Sequence, residues 1–104
     1  MKVGLVIYSN DSETVWNAFR FGNFTLNQKD EVNVFLLAKG VESESLDTVK
    51  FKVTEQMKNF VDNGGKIFAC GCCLENRQRF RNVSIVYDEG SIHNNKRSDK
   101  IVTF

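Results

Sequence analysis

Val3-Gly4-Leu5-Val6-Ile7-Tyr8 is a continuous apolar run rich in β-branched residues. Such a run fits a strand buried on both faces, as in a parallel sheet. Ser9-Asn10-Asp11-Ser12 follows as a turn cluster, with Asp11 or Ser12 placed to cap a helix. From Glu13 to Gln28, the residues Val15, Ala18, Phe19, Gly22 and Leu26 recur at helical spacing and form one core stripe. Val32-Asn33-Val34-Phe35-Leu36-Leu37 reads as a second strand, ended by Lys39-Gly40. A polar stretch, Glu42 to Thr48, leads into a second amphipathic helix whose face carries Val49, Val53, Met57, Phe60 and Val61. Asn63-Gly64-Gly65 supplies its C-cap signal. Lys66-Ile67-Phe68-Ala69 is a short third strand that runs straight into Cys70. Glu75 to Phe80 reads as a short helix and Val83 to Tyr87 as a fourth strand. Asp88 to Lys100 is polar and irregular, and Ile101-Val102-Thr103-Phe104 closes the chain as a fifth strand.

This alternation predicts a three-layer α/β/α fold with a five-stranded, mostly parallel sheet, in one domain spanning all 104 residues. Ligands and reactive groups gather at the carboxyl ends of the strands in such sheets. Here those ends are Ser9 to Asp11, Ala38 to Gly40, Cys70, and Asp88-Glu89. Hydrophobic residues make up 41% and charged residues 26%, the balance of a globular protein rather than a disordered one. The 14 basic and 13 acidic residues leave +1, so no nucleic-acid partner held by bulk charge is expected. The longest apolar runs fall far below the roughly 20 residues of a membrane span. Val3 to Tyr8 is also too short for a signal-peptide core, so no membrane association is expected.

Cys70, Cys72 and Cys73 sit within four residues, too close to staple distant parts of the chain. Their odd number argues against a secreted disulfide framework and for a cytoplasmic, reducing location. Cys70 follows a buried strand and precedes a short helix. Backbone N–H groups and the positive helix end there favour the thiolate, and Arg77, Arg79 and Arg81 add positive potential. Gly71 lets the chain turn beside the sulfur. Packing under the helix is the competing role for these cysteines, most of all for Cys72 and Cys73.

The stretch from Lys66 through Cys70 and Cys73 to Arg77 resembles the cysteine motif of the DsrE/DsrF-like family, small sulfur-relay proteins that include TusD-like and YchN-like members. That pattern is a strand, a cysteine and an arginine seven positions on, usually followed by glycine. Cys70 and Arg77 match it, whereas Gln78 stands at the glycine position. Cys73 matches the second cysteine frequent in YchN-like members. The regions Val3 to Ser12 and Ser98 to Phe104 are similar too. The resemblance implies a persulfide carrier, a sulfurtransferase in the broad sense, served by sulfur donor and acceptor proteins and needing no cofactor. Cys70 would accept sulfane sulfur, and Cys73 would release it by closing a Cys70–Cys73 disulfide. The alternative within the same fold is a non-catalytic assembly or regulatory subunit, and retention of Cys70 favours the active class.

Other chemistries fit less well. Cys70-x-x-Cys73 evokes thioredoxin, but it follows the third strand, and the chain has no proline to face it. A closed zinc site needs about four ligands, typically in two pairs, and only one cysteine cluster and His93 are present. An iron–sulfur cluster meets the same shortage. Ser9 to Thr14 occupies the place of a flavin phosphate loop, yet it lacks glycine, and Asp11 and Glu13 would repel phosphate. No metal or cofactor is therefore expected.

The first helix carries more aromatics than one core stripe uses. Phe24 lies about 180° from Val15, Trp16 about 100° away on one flank and Phe21 about 120° away on the other. With Phe51 of the second helix they form a candidate interface patch, unless the Glu42 to Thr48 segment covers them. The expectation is a homo-oligomer; the family resemblance implies a trimer or hexamer.

Overall fold

The computed structural model describes residues 1–69 and 99–104. In chain order they form β1 (Lys2–Ile7), α1 (Ser12–Asn27), β2 (Glu31–Leu36), a 3-10 helix (Ala38–Ser45), α2 (Val53–Asp62), β3 (Lys66–Ala69) and β4 (Lys100–Thr103). The strands run in the order β3-β2-β1-β4, and every pairing is parallel. The sheet thus has four strands among the described residues where the sequence predicts five. The expected strand Val83 to Tyr87 and the short helix Glu75 to Phe80 lie outside the described residues.

The register explains the continuous apolar runs. Val3, Leu5 and Ile7 share one face with Val32, Val34, Leu36 and Ile67. On them α1 lays Val15, Ala18 and Phe19, and α2 lays Val53, Met57 and Phe60, all within one buried cluster. On the opposite face Gly4, Asn33, Phe35 and Phe68 are buried as well. Asn33 is the polar exception, and its Oδ1 has no hydrogen-bond partner among the described residues.

Chemistry at the ends sets the helix bounds. Asp11 caps α1 by accepting the Thr14 backbone N–H at 2.9 Å and the Thr14 hydroxyl at 2.8 Å. The end of α2 is a Schellman motif. Gly65 N–H donates to the Phe60 carbonyl at 2.9 Å, Gly64 N–H donates to the Val61 carbonyl at 3.0 Å, and Gly64 takes φ +96°.

Two expectations need correcting. The second helix starts at Val53, so Val49 lies ahead of it and is 96% exposed. Val61 is also on the surface rather than in the core. The Trp16, Phe51, Phe21, Phe24 patch divides. Trp16 and Phe51 pack on each other with ring centroids 5.6 Å apart and are half-buried, whereas Phe21 and Phe24 stay exposed. Trp16, on one flank of the core stripe, reaches Phe51 of the neighbouring segment, whereas Phe24, opposite the stripe, does not.

The Asp11 cap gives a pH prediction. The Thr14 N–H, and then its hydroxyl, hold the Asp11 carboxyl below its ordinary value of 3.8. A depressed carboxylate contributes stability that is present above the unfolded-state value and lost as pH falls through the folded one. Thermal midpoints of the wild type should therefore drop on acidification below about 3.8 more steeply than those of Asp11→Asn, which caps without titrating. Parallel acid profiles for the two proteins would contradict this.

Candidate site at the carboxyl edge of the sheet

Ile7, Leu36 and Ala69 are register partners, so β1, β2 and β3 end level with one another. Just beyond them Tyr8, Ser9, Asn10, Ala38 and Lys39 line an open concavity of about 380 Å³. Two of the four strand ends expected to carry chemistry, Ser9 to Asp11 and Ala38 to Gly40, are brought together there.

The walls are held by backbone and hydroxyl contacts. Tyr8 N–H donates to the Phe104 carbonyl at 3.0 Å, and Phe104 N–H donates to the Val6 carbonyl at 2.7 Å, which ties the end of β1 to the chain beyond β4. Ser9 Oγ accepts the Asp11 N–H at 3.0 Å and shapes the turn into α1. On the other wall Leu37 N–H donates to the Ile7 carbonyl at 3.0 Å. Ala38 then takes φ +47°, a left-handed conformation unusual for alanine, and starts the 3-10 helix. Gly40 crosses β1 so closely that a Cβ there would sit 2.0 Å from the Ile7 carbonyl oxygen. Ser43, fully buried, donates to the Gly40 carbonyl at 2.6 Å, and Ser12 donates to the Leu46 carbonyl at 2.7 Å. The first bond is internal to the 3-10 helix, and the second ties Leu46, the residue after it, to the start of α1.

The charges here favour cap over phosphate. The Asp11 carboxylate takes up the N-terminus of α1, the place a phosphate would occupy. Lys39 is exposed on the opposite wall and has no ion pair among the described residues. Among the described residues that line the concavity, its ammonium is the cationic group. Among the described residues no group of three or more His, Cys, Asp and Glu side chains could hold a metal.

Cys70, Cys72, Cys73, Arg77 and His93 lie outside the described residues, as does the Asp88-Glu89 strand end. β3 leads to the first of these, because Ala69 is its last residue and Cys70 is next in sequence. Sequence reasoning missed the 3-10 helix and the close approach of Gly40. The available signal was Gly40 itself, a glycine just after a strand end, which marks a tight backbone crossing as readily as a turn.

The sequence model of the DsrE/DsrF-like family matches residues 1–103. No curated protein matches the chain. Among solved structures, a conserved protein of unknown function from Bacteroides thetaiotaomicron is similar in fold, with TM-score 0.72 at 21% identity over 99% of this chain and 95% of that one.

Proposed function

This chain belongs to the DsrE/DsrF-like family, and from that premise we propose that it is a sulfur-relay protein that carries a persulfide on Cys70. The observation that supports the reading most directly is the end of β3. Ala69 closes that strand level with Ile7 and Leu36, at the edge where a parallel sheet presents its ligands, and the next residue is a cysteine. The burial of Gly4, Asn33, Phe35 and Phe68 on the face away from α1 and α2 supports a three-layer arrangement around that edge.

In the proposed transfer the Cys70 thiolate attacks the terminal sulfur of a donor persulfide. A new S–S bond forms, the donor S–S bond breaks, and the donor leaves as a thiolate. An acceptor thiolate then attacks the same terminal sulfur, and Cys70 departs as thiolate. No external oxidant or reductant is consumed. Alternatively the Cys73 thiolate attacks Cys70 Sγ and expels hydrosulfide. The two cysteines are then oxidised to a disulfide as the sulfane sulfur is reduced, and a dithiol is needed to reset them. Arg77 supplies positive charge that favours the thiolate. The exposed Lys39 is a docking charge for the anionic sulfur species or an acidic partner.

Intact mass after incubation with inorganic polysulfide and removal of the excess tests the reading. The wild type is expected to gain ~32 Da per sulfur retained, removable by dithiothreitol. Cys70→Ser is expected to gain none, and Cys72→Ser to behave as the wild type. An unchanged mass for the wild type, or an unchanged gain in Cys70→Ser, would reject Cys70 as the carrier and favour a purely structural subunit.

A further inference from the structure

The concavity at the carboxyl edge of the sheet is larger than an inorganic sulfur species needs. At about 30 Å³ for each water-sized group, its 380 Å³ has room for roughly a dozen non-hydrogen atoms. A short polysulfide of about four atoms would leave most of that space to water. Sites that hold organic ligands begin at about 300 Å³. The lining narrows the chemistry further. Lys39 is its charged member among the described residues, and the ammonium has no ion pair among them. Ser9 Oγ accepts the Asp11 N–H at 3.0 Å, while its own hydroxyl hydrogen meets no acceptor among the described residues. The Tyr8 hydroxyl and the Asn10 amide are uncommitted in the same way. Just outside this lining, the exposed carboxylates of Asp11 and Glu13 stand at the start of α1. They disfavour a polyanion or an acidic protein surface, whereas the lysine favours a single carboxylate.

We infer that the concavity binds the persulfide of a small, cysteine-like thiol carboxylate, of amino-acid to dipeptide size. Lys39 holds the ligand's carboxylate, and Tyr8, Ser9 and Asn10 meet its neutral polar groups. The inference rests on the persulfide reading of Cys70 and assigns that site a low-molecular-weight donor. The reach fits. Ile7, Leu36 and Ala69 are register partners, and neighbouring strands lie about 4.8 Å apart, so the wall that follows β2 begins about one strand spacing from the end of β3. In an extended cysteine persulfide the carboxylate carbon and the outer sulfur are about 5–6 Å apart, close to the same span. The Cys70 thiolate takes the outer sulfur, the S–S bond of the ligand breaks, and the ligand leaves as a thiolate. Lys39 touches neither reacting sulfur; it determines which donor is accepted.

Binding is tested on Cys70→Ser, which removes the reacting sulfur, with S-ethylcysteine as a stable stand-in for the persulfide. Titration followed by amide NMR is expected to give saturable shifts at Ser9, Asn10, Ala38 and Lys39, with a dissociation constant of about 1 mM. Lys39→Gln is expected to weaken binding about tenfold, and so is S-ethylcysteine carboxamide in place of the acid, whereas Lys39→Arg retains it. The absence of saturable shifts at these residues, or equal affinity in Lys39→Gln or for the carboxamide, would overturn the inference. With Cys70 in place, Lys39→Gln is expected to slow loading from cysteine persulfide about tenfold and to leave loading from inorganic polysulfide unchanged. Equal slowing with both donors would mean that Lys39 acts on Cys70 rather than on the donor, and would overturn its assigned role. A wild type that loads from neither donor, while Cys70→Ser still binds S-ethylcysteine through Lys39, would reject the persulfide reading and uphold the binding site.

Discussion

Gly40→Ala is expected to destabilise the fold by about 1–3 kcal/mol or more, the range for forcing a methyl group into space already filled. The atoms in its way are backbone. The added Cβ would lie 2.0 Å from the Ile7 carbonyl oxygen, 2.7 Å from the Ile7 carbonyl carbon and 3.3 Å from the Tyr8 Cα. A side chain can swing away from such a contact, but a central strand cannot. The same Ile7 oxygen accepts the Leu37 N–H at 3.0 Å, so a shift of β1 away from residue 40 also strains that bond. The 3-10 helix must lift instead. Lifting it uncovers Val41, 2% exposed, and Ser43, fully buried. In a domain of this size each kcal/mol lowers the thermal midpoint by about 4–8 °C. A midpoint within about 2 °C of the wild type would mean that the segment is not seated on β1. Because Ala38 and Lys39 form one wall of the concavity, Gly40→Ala should also slow loading of Cys70 more than a surface substitution of equal stability cost.

The parts of this fold legible in the sequence are those where one residue pattern has one physical cause. Val3 to Ile7 and, apart from Asn33, Val32 to Leu36 are apolar without alternation because both faces of their strands are largely buried, so their place in a parallel sheet could be read directly. Asn63-Gly64-Gly65 announced the end of α2 because a left-handed C′ position favours glycine. The core stripe of α1 was correct at Val15, Ala18, Phe19 and Gly22. It slipped only at the last turn, where Thr25 is buried and Leu26 packs at the edge.

The misreadings have a common origin, since periodicity gives a residue's direction and not what lies there. Val49 fits the stripe of α2 by count, but the helix has not begun at that point. Trp16 and Phe24 both leave the core stripe, yet only Trp16 finds a neighbour, Phe51, that arrives from more than thirty positions away in sequence. The polar composition of Glu42 to Thr48 hid a 3-10 helix whose Ser43 is buried against its own backbone. For the candidate site, the sequence placed Cys70 at a strand end by adjacency alone. The crossing of the 3-10 helix over β1, which shapes the concavity beside that edge, needed three-dimensional contacts that no spacing encodes.

Phe60→Ala is expected to have the largest effect on stability, about 3–5 kcal/mol. That is a large part of the 5–15 kcal/mol by which a domain this small is typically stable. Phe60 is fully buried and meets Phe19 of α1 edge-on, with centroids 5.8 Å apart and planes at 73°. Its ring is walled by two glycines. A Cβ at Gly22 would come within 3.0 Å of the ring, and one at Gly65 within 2.5 Å. The absence of side chains at those positions is thus what lets α1 and α2 close over the sheet, and Phe60 fills the space they leave. Removing the ring leaves a cavity bounded by backbone, which collapses poorly and gives the upper part of the range. A second substitution separates this packing account from a general loss of hydrophobicity. Alanine is favoured over glycine in a helix by about 1 kcal/mol, so Gly22→Ala would stabilise α1 if space were free. In the wild type it is expected to destabilise, because the new methyl presses on the Phe60 ring and, at 3.2 Å, on Leu5. In the Phe60→Ala background the ring is gone, and the same Gly22→Ala should change sign and recover part of the loss. Urea unfolding of the four proteins yields the coupling directly. If Gly22→Ala has the same sign in both backgrounds, the ring does not occupy the space between the helices, and the account of the core fails.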